Sequence, residues 1–197
     1  MKRVKIYTRF NRFWHWAQAL LVILLALTGF DIHFNWGIFS FERAVTMHIR
    51  LAMAFAVLVA FAIFWHLTTG AWRQYVPTGR IGTMVRFYLV GIFKGEPHPV
   101  KKTELSKLNP LQRLTYLGLK ILVIPVVVAS GFLYYFYNSW TGTPLEGASL
   151  EPVALIHTFG AYLLMAFMVV HVYLTTTGHT LFSNMKAMIT GWEEVEE

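Results

Sequence analysis

The chain has 197 residues, 56% of them hydrophobic and 14% charged, with a formal charge of +7. Soluble domains are about 45–50% apolar and about 25% charged, so the composition argues against a soluble globular protein, and the 16% aromatic content argues against disorder. The absence of cysteine rules out disulfides, thiolate zinc sites, iron–sulfur clusters and covalently attached haem, which leaves the eight histidines as the strong nitrogen ligands.

The first apolar stretch covers residues 13–32, centred on WAQALLVILLALTGF. It is too long for a cleavable signal peptide, and no small-residue cleavage site follows it. The second covers 45–67 and contains LAMAFAVLVAFAIFW. A long basic connection follows, from Tyr75 to Arg113. Within it IGTMVRFYLVGIF is apolar with single charges, and is either an amphipathic helix along the membrane interface or a loop packed on the helices. The third stretch covers 114–137 and the fourth 153–176. Each has the about 20 residues a helix needs to cross about 30 Å of hydrocarbon, and in lipid the backbone must satisfy itself as helix. The reading is an all-α membrane protein, a single domain over 1–197 built as a four-helix bundle. No internal sequence repeat stands out, and the terminal EEVEE reads as a frayed acidic tail. Thirteen of the 17 Lys and Arg residues fall in the N-terminal segment or, from Arg73 to Arg113, between the second and third stretches. The positive-inside rule then puts both termini and that connection in the cytoplasm, and makes the charge a topology signal before a nucleic-acid one.

Histidine inside a membrane helix is costly and usually functional. His157 and His171 are 14 residues apart on one predicted helix, which brings both rings to one face about 21 Å apart in depth. His15 starts the first helix at the depth of His171, and His48 starts the second at the depth of His157. Two facing pairs at two depths are how a helical bundle holds two six-coordinate b-type haems. Gly29, Gly118, Gly131 and Gly160 would let a flat group slot between helices, or serve simply as helix-packing residues. His66 shares a face with His48 and competes geometrically with His15. His33, His66, His98 and His179 otherwise read as interfacial or solvated. Arg12 and Arg50, beside two of the candidate ligands, are candidates for haem propionates or plain interfacial anchors.

Several segments in order carry a resemblance: RFNRFWHW at the N-terminus, His48 before its apolar run, IFKGEPHPV and NPLQ in the middle connection, SGFLYY ending the third helix, and IHTFGAYLLMAFMVVHVYLTTTG in the fourth. In these the chain resembles the membrane b-type cytochrome (gamma) subunit of respiratory formate dehydrogenases, with relatives that serve nickel–iron hydrogenases and thiosulfate reductases. The resemblance implies a di-haem conduit. His15 and His171 match the ligands of the cytoplasmic-side haem, and His48 and His157 those of the outer haem, which speaks against His66. It also implies a quinone pocket near the inner haem, at positions matching Asn109, Gln112, Leu174 and Thr175, although Pro110 departs from the family pattern. NPLQ reads equally as a helix start, with Asn109 as N-cap and Pro110 at the first position.

The expected function is electron transfer from an outer-side iron–sulfur subunit, and a molybdenum/tungsten or nickel–iron catalytic subunit, to menaquinone or ubiquinone in a bacterial or archaeal cytoplasmic membrane. No residue is expected to do substrate chemistry, and no nucleic acid is expected as partner. The alternative is a haem-free membrane anchor, or a small transporter whose histidines carry protons or a divalent metal.

Overall fold

The computed structural model describes residues 2–97, 99–100, 108–178 and 180–195; His98 and His179 lie outside them. In chain order the elements are strand β1 (Lys2–Lys5), helices α1 (Arg9–Phe34), α2 (Phe41–Thr69), α3 (Ile81–Arg86), α4 (Pro110–Tyr135), α5 (Glu151–Thr175) and α6 (Ser183–Thr190), and strand β2 (Trp192–Val195). Helices α1, α2, α4 and α5 are the four long and apolar enough to cross a membrane. The shortest has 25 residues, about 37 Å at 1.5 Å per residue, more than the hydrocarbon requires. They start earlier than the apolar runs suggest, because charged first turns such as Arg9–Arg12 continue the helix beyond the lipid core. In α4 the backbone widens into a π-turn over Leu119–Val123. Pro125 follows at once, and its missing N–H and bulky ring would otherwise disrupt a regular turn there.

The chain divides into two compact units. One comprises Met1–Arg12, Trp65–Lys120 and Val172–Glu197; the other comprises Phe13–Phe64 and Ile121–His171. The second unit holds the long apolar parts of the four helices. Its buried side chains include Val22, Thr28, Phe55, Ala62, Ile124 and Ser130, while Leu20, Ile23, Val57, Leu155 and Val169 are exposed, as expected where lipid is the solvent. At one end of α1 the buried Asp31 accepts hydrogen bonds from the backbone of Ile38 (3.0 Å) and Phe39 (3.0 Å), fixing the short turn into α2.

The first unit corrects one expectation. The acidic segment near the C-terminus is not frayed over Trp192–Val195: it pairs antiparallel with β1, from Lys2 opposite Val195 to Lys5 opposite Trp192. Across this register the Arg3 guanidinium lies 5.4 Å over the Trp192 ring, a cation–π contact between the strands. Val4 and Ile6 are buried beneath it, and the Arg12 guanidinium donates to the Ile189 carbonyl. The segment from 81 to 94, expected as either an interfacial helix or a packed loop, is not a loop. It is helical throughout, running from α3 through a π-turn over Phe87–Gly91 to a 3-10 turn over Ile92–Lys94. It packs inward through Met84, Phe87 and Gly91, while Leu89 and Phe93 remain 70% and 76% exposed.

Candidate functional site: two imidazole pairs

The predicted histidines meet in the predicted pairs. The ring centroids of His48 and His157 are 6.3 Å apart with planes at 82°. Those of His15 and His171 are 6.0 Å apart with planes at 50°. A five-membered ring with sides of about 1.35 Å has a radius of about 1.1 Å, and a first-row metal–imidazole bond is about 2 Å. Two imidazoles on opposite sides of one metal ion should therefore have centroids about 6.3 Å apart, and both pairs match that span. Among the described residues, no group of three or more His, Cys, Asp or Glu gathers to hold a metal ion. A bare ion wants about four protein ligands, whereas two imidazoles suffice when a macrocycle supplies the other positions.

The His48–His157 pair is held through hydroxyls on the preceding helices. Thr28 Oγ1 on α1 lies 2.9 Å from His48 Nδ1, and the same hydroxyl donates to the Leu24 carbonyl (2.9 Å) and the Leu25 carbonyl (3.2 Å). On α4, Ser130 Oγ lies 3.0 Å from His157 Nδ1 and donates to the carbonyls of Val126 (2.6 Å) and Val127 (3.1 Å). His157 Nδ1 is also 3.1 Å from the Val127 carbonyl. A carbonyl can only accept, so Nδ1 carries the proton and Nε2 presents its lone pair, the form a metal takes. Next to each hydroxyl is a glycine. A Cβ on Gly29 would stand 3.2 Å from His48 Cε1, and one on Gly131 would stand 3.3 Å from His157 Cε1. Gly160 gives helix-to-helix clearance against Val127, and Gly118 faces open space.

The His15–His171 pair rests on aromatic neighbours. His15 meets Trp16 edge-on at 5.1 Å, and His171 stacks on Phe167 at 5.6 Å. His15 Nδ1 is buried without a hydrogen-bond partner among the described residues. His66, the geometric competitor, lies instead beside Tyr75, with Nε2 3.4 Å from the phenol oxygen. His33 packs edge-on against Phe34.

In the other unit, Asn109 and Gln112 form a complete capping box at the start of α4: Asn109 Oδ1 accepts from the Gln112 backbone (2.9 Å), and Gln112 Oε1 accepts from the Asn109 backbone (3.0 Å), with Pro110 at the first position. The cap reading of NPLQ therefore holds. Asn109 Nδ2 also donates to the Tyr88 hydroxyl at 3.0 Å, whose own proton burial makes harder to lose. Leu174 and Thr175 end α5, where the carbonyl of Leu174 accepts from Thr177 Oγ1 and that of Thr175 from Asn184 Nδ2. Sequence reasoning missed Thr28, Ser130 and Lys120. Lys120 sits in the α4 π-turn with its ammonium 4.8 Å over the Tyr75 ring, and burial pushes the Tyr75 hydroxyl up to about 12. Each had a signal: a hydroxyl before glycine in mid-helix, and a lone cation in an apolar run.

Apolar helices of membrane length that bring imidazoles together in pairs define a membrane b-type cytochrome. The chain belongs to the prokaryotic cytochrome b561 family, whose model matches residues 6–191. It is 29% identical over 202 residues to a protein of Escherichia coli (strain K12) named "Putative cytochrome YdhU", covering 97% of this chain and 75% of that one. It is 24% identical over 211 residues to the "Probable Ni/Fe-hydrogenase B-type cytochrome subunit" of Cupriavidus necator, covering 88% of this chain and 79% of that one. The chain is thus a multi-pass prokaryotic membrane protein that carries b-type haem and transfers electrons.

Proposed function

We propose that the chain holds two b-type haems, one between His48 and His157 and one between His15 and His171, and carries electrons between a catalytic partner and membrane quinone. The observation that carries this is the match of both ring separations, 6.3 and 6.0 Å, to the span of two imidazoles across one iron. The haems supply a one-electron couple at each depth. The protein supplies the ligands, their tautomers and the low-dielectric surroundings that set potential. The distribution of Lys and Arg supports cytoplasmic termini, so the His48–His157 pair faces outward. Similarity to a hydrogenase cytochrome subunit supports a nickel–iron catalytic partner, and an iron–sulfur subunit docked on that side rests on the motif resemblance. A molybdenum or tungsten partner, as in formate dehydrogenases, rests on the motif resemblance. Electrons moving inward to a quinone that takes protons from the cytoplasm separate charge, worth about 2.3 kcal/mol per charge per 100 mV.

Asn109, Gln112, Leu174 and Thr175 are the proposed quinone contacts. Asn109 already serves the cap and Tyr88, so Gln112 Nε2, which donates to no described residue, is the favoured donor to a quinone oxygen. Gln112→Glu keeps the oxygen that caps Asn109 and removes that donor. It should slow quinone turnover several-fold while both haem spectra stay normal; full turnover and unchanged inhibitor binding would place the quinone elsewhere.

The primary test is the dithionite-reduced spectrum of the purified chain with its haem-to-protein ratio. Two non-covalent haems per chain are expected. One haem would overturn the di-haem reading, and a colourless chain would favour a haem-free anchor or a histidine-based transporter.

A further inference from the structure

The hydroxyls that face His48 and His157 have an ordinary explanation. Ser and Thr in apolar helices commonly return their proton to the carbonyl three or four residues back, as Thr28 and Ser130 both do. Three observations go beyond it. Each hydroxyl oxygen is also within hydrogen-bond distance of a histidine Nδ1 on the next membrane helix. Each stands immediately before a glycine whose missing Cβ lets that ring lie against the helix. The same arrangement occurs twice, between α1 and α2 and between α4 and α5, although no internal repeat is visible across these helices.

We propose that Thr28–Gly29 and Ser130–Gly131 are a duplicated seat whose hydroxyls fix and polarise the two imidazoles of one haem. Thr28 and Ser130 are positioning residues, acting through the rings. The direction of each bond follows from proton count. With Nε2 left for iron, a neutral imidazole carries its proton on Nδ1, so Nδ1–H donates to the hydroxyl oxygen, whose own proton turns to a backbone carbonyl; at His157 the Val127 carbonyl, 3.1 Å away, shares that Nδ1 proton. The chain Nδ1–H to Oγ–H to carbonyl is cooperative. It draws the Nδ1 proton away from the ring, makes Nε2 a stronger donor, and so favours ferric over ferrous iron. The seat therefore lowers the reduction potential of this haem, whereas the buried Nδ1 of His15 has no such hydroxyl among the described residues.

The inference rests on the haem reading above, and the experiment separates the two. Redox titration of the full-length protein is run on the parent and on Thr28→Val, Ser130→Ala and Thr28→Ser, following the component that His157→Ala removes. Thr28→Val and Ser130→Ala should each raise the midpoint of that component alone, and loosen that haem roughly tenfold in competition with apomyoglobin. Thr28→Ser, which restores the hydroxyl, should match the parent. Loss of only that haem in Thr28→Val with retention in Thr28→Ser also supports the seat. Unchanged midpoints and unchanged haem retention in both Thr28→Val and Ser130→Ala would overturn it, as would a Thr28→Ser variant shifted as far as Thr28→Val, which would assign the effect to packing. A parent chain that binds no haem would instead overturn the functional reading itself.

Discussion

The two imidazole pairs have nearly the same span but are built differently. His48 and His157 are each gripped from the preceding membrane helix by a hydroxyl and relieved by a glycine. His15 and His171 are set by aromatic neighbours, Trp16 and Phe167, and the buried Nδ1 of His15 has no acceptor among the described residues. A ring fixed by hydrogen bonds has one tautomer and an electron-rich iron-facing nitrogen. An imidazole whose Nδ1 has no acceptor, as at His15, keeps more freedom and donates less. On the proposed two-haem reading the His48–His157 component should therefore have the lower midpoint, so that electrons entering there would run downhill to the other pair. A titration in which the component lost in His157→Ala is the higher of the two would break this comparison.

The largest expected effect on it is loss of a ligand. His157→Ala should cost one of two haems and leave the second spectrum intact, and His15→Ala should do the converse, read by pyridine haemochrome per chain. If either change removes both, the pairs are not independent. A smaller effect is expected at the glycines. Gly131→Val forces a branched side chain against a ring already 3.3 Å from the Cβ position, and overpacking of this kind costs about 1–3 kcal/mol. The same change at Gly118, which faces open space, should leave haem content and melting temperature nearly unchanged. Equal losses at both positions would show that the glycines matter only for helix packing. The smallest effect is spectroscopic. Ligand planes near 82° leave the iron orbitals closer to degeneracy than planes at 50°. The ferric signal of the His48–His157 haem should thus show the greater g anisotropy at low temperature, and the reverse order would mean the rings turn when haem binds.

Much of this was legible in the sequence because membrane helices and histidine spacing obey simple periods. Hydrophobic run length gave four spans, and the 14-residue step from His157 to His171 gave one shared face. The ends were less legible, since helix continues through charged turns such as Arg9–Arg12 once lipid no longer selects for apolar side chains. NPLQ announced its cap through residue type and spacing, and the structure supplies both halves of it. Thr28 and Ser130 carried only a weak signal, a hydroxyl before glycine, because a hydroxyl in a membrane helix usually bonds its own backbone, and only the neighbouring helix reveals the second partner. The pairing of β1 with β2 was hidden for a related reason: four-residue strands carry no usable period, and their partners are at opposite ends of the chain.

That pairing also governs when the protein can be finished. Lys2–Lys5 leaves the ribosome about 190 residues ahead of Trp192–Val195. At synthesis rates of roughly 5–20 residues per second the first strand waits on the order of ten to forty seconds for its mate. During that interval the four apolar helices between the strands must insert, so closure of the strand pair marks a chain whose last span is already in place.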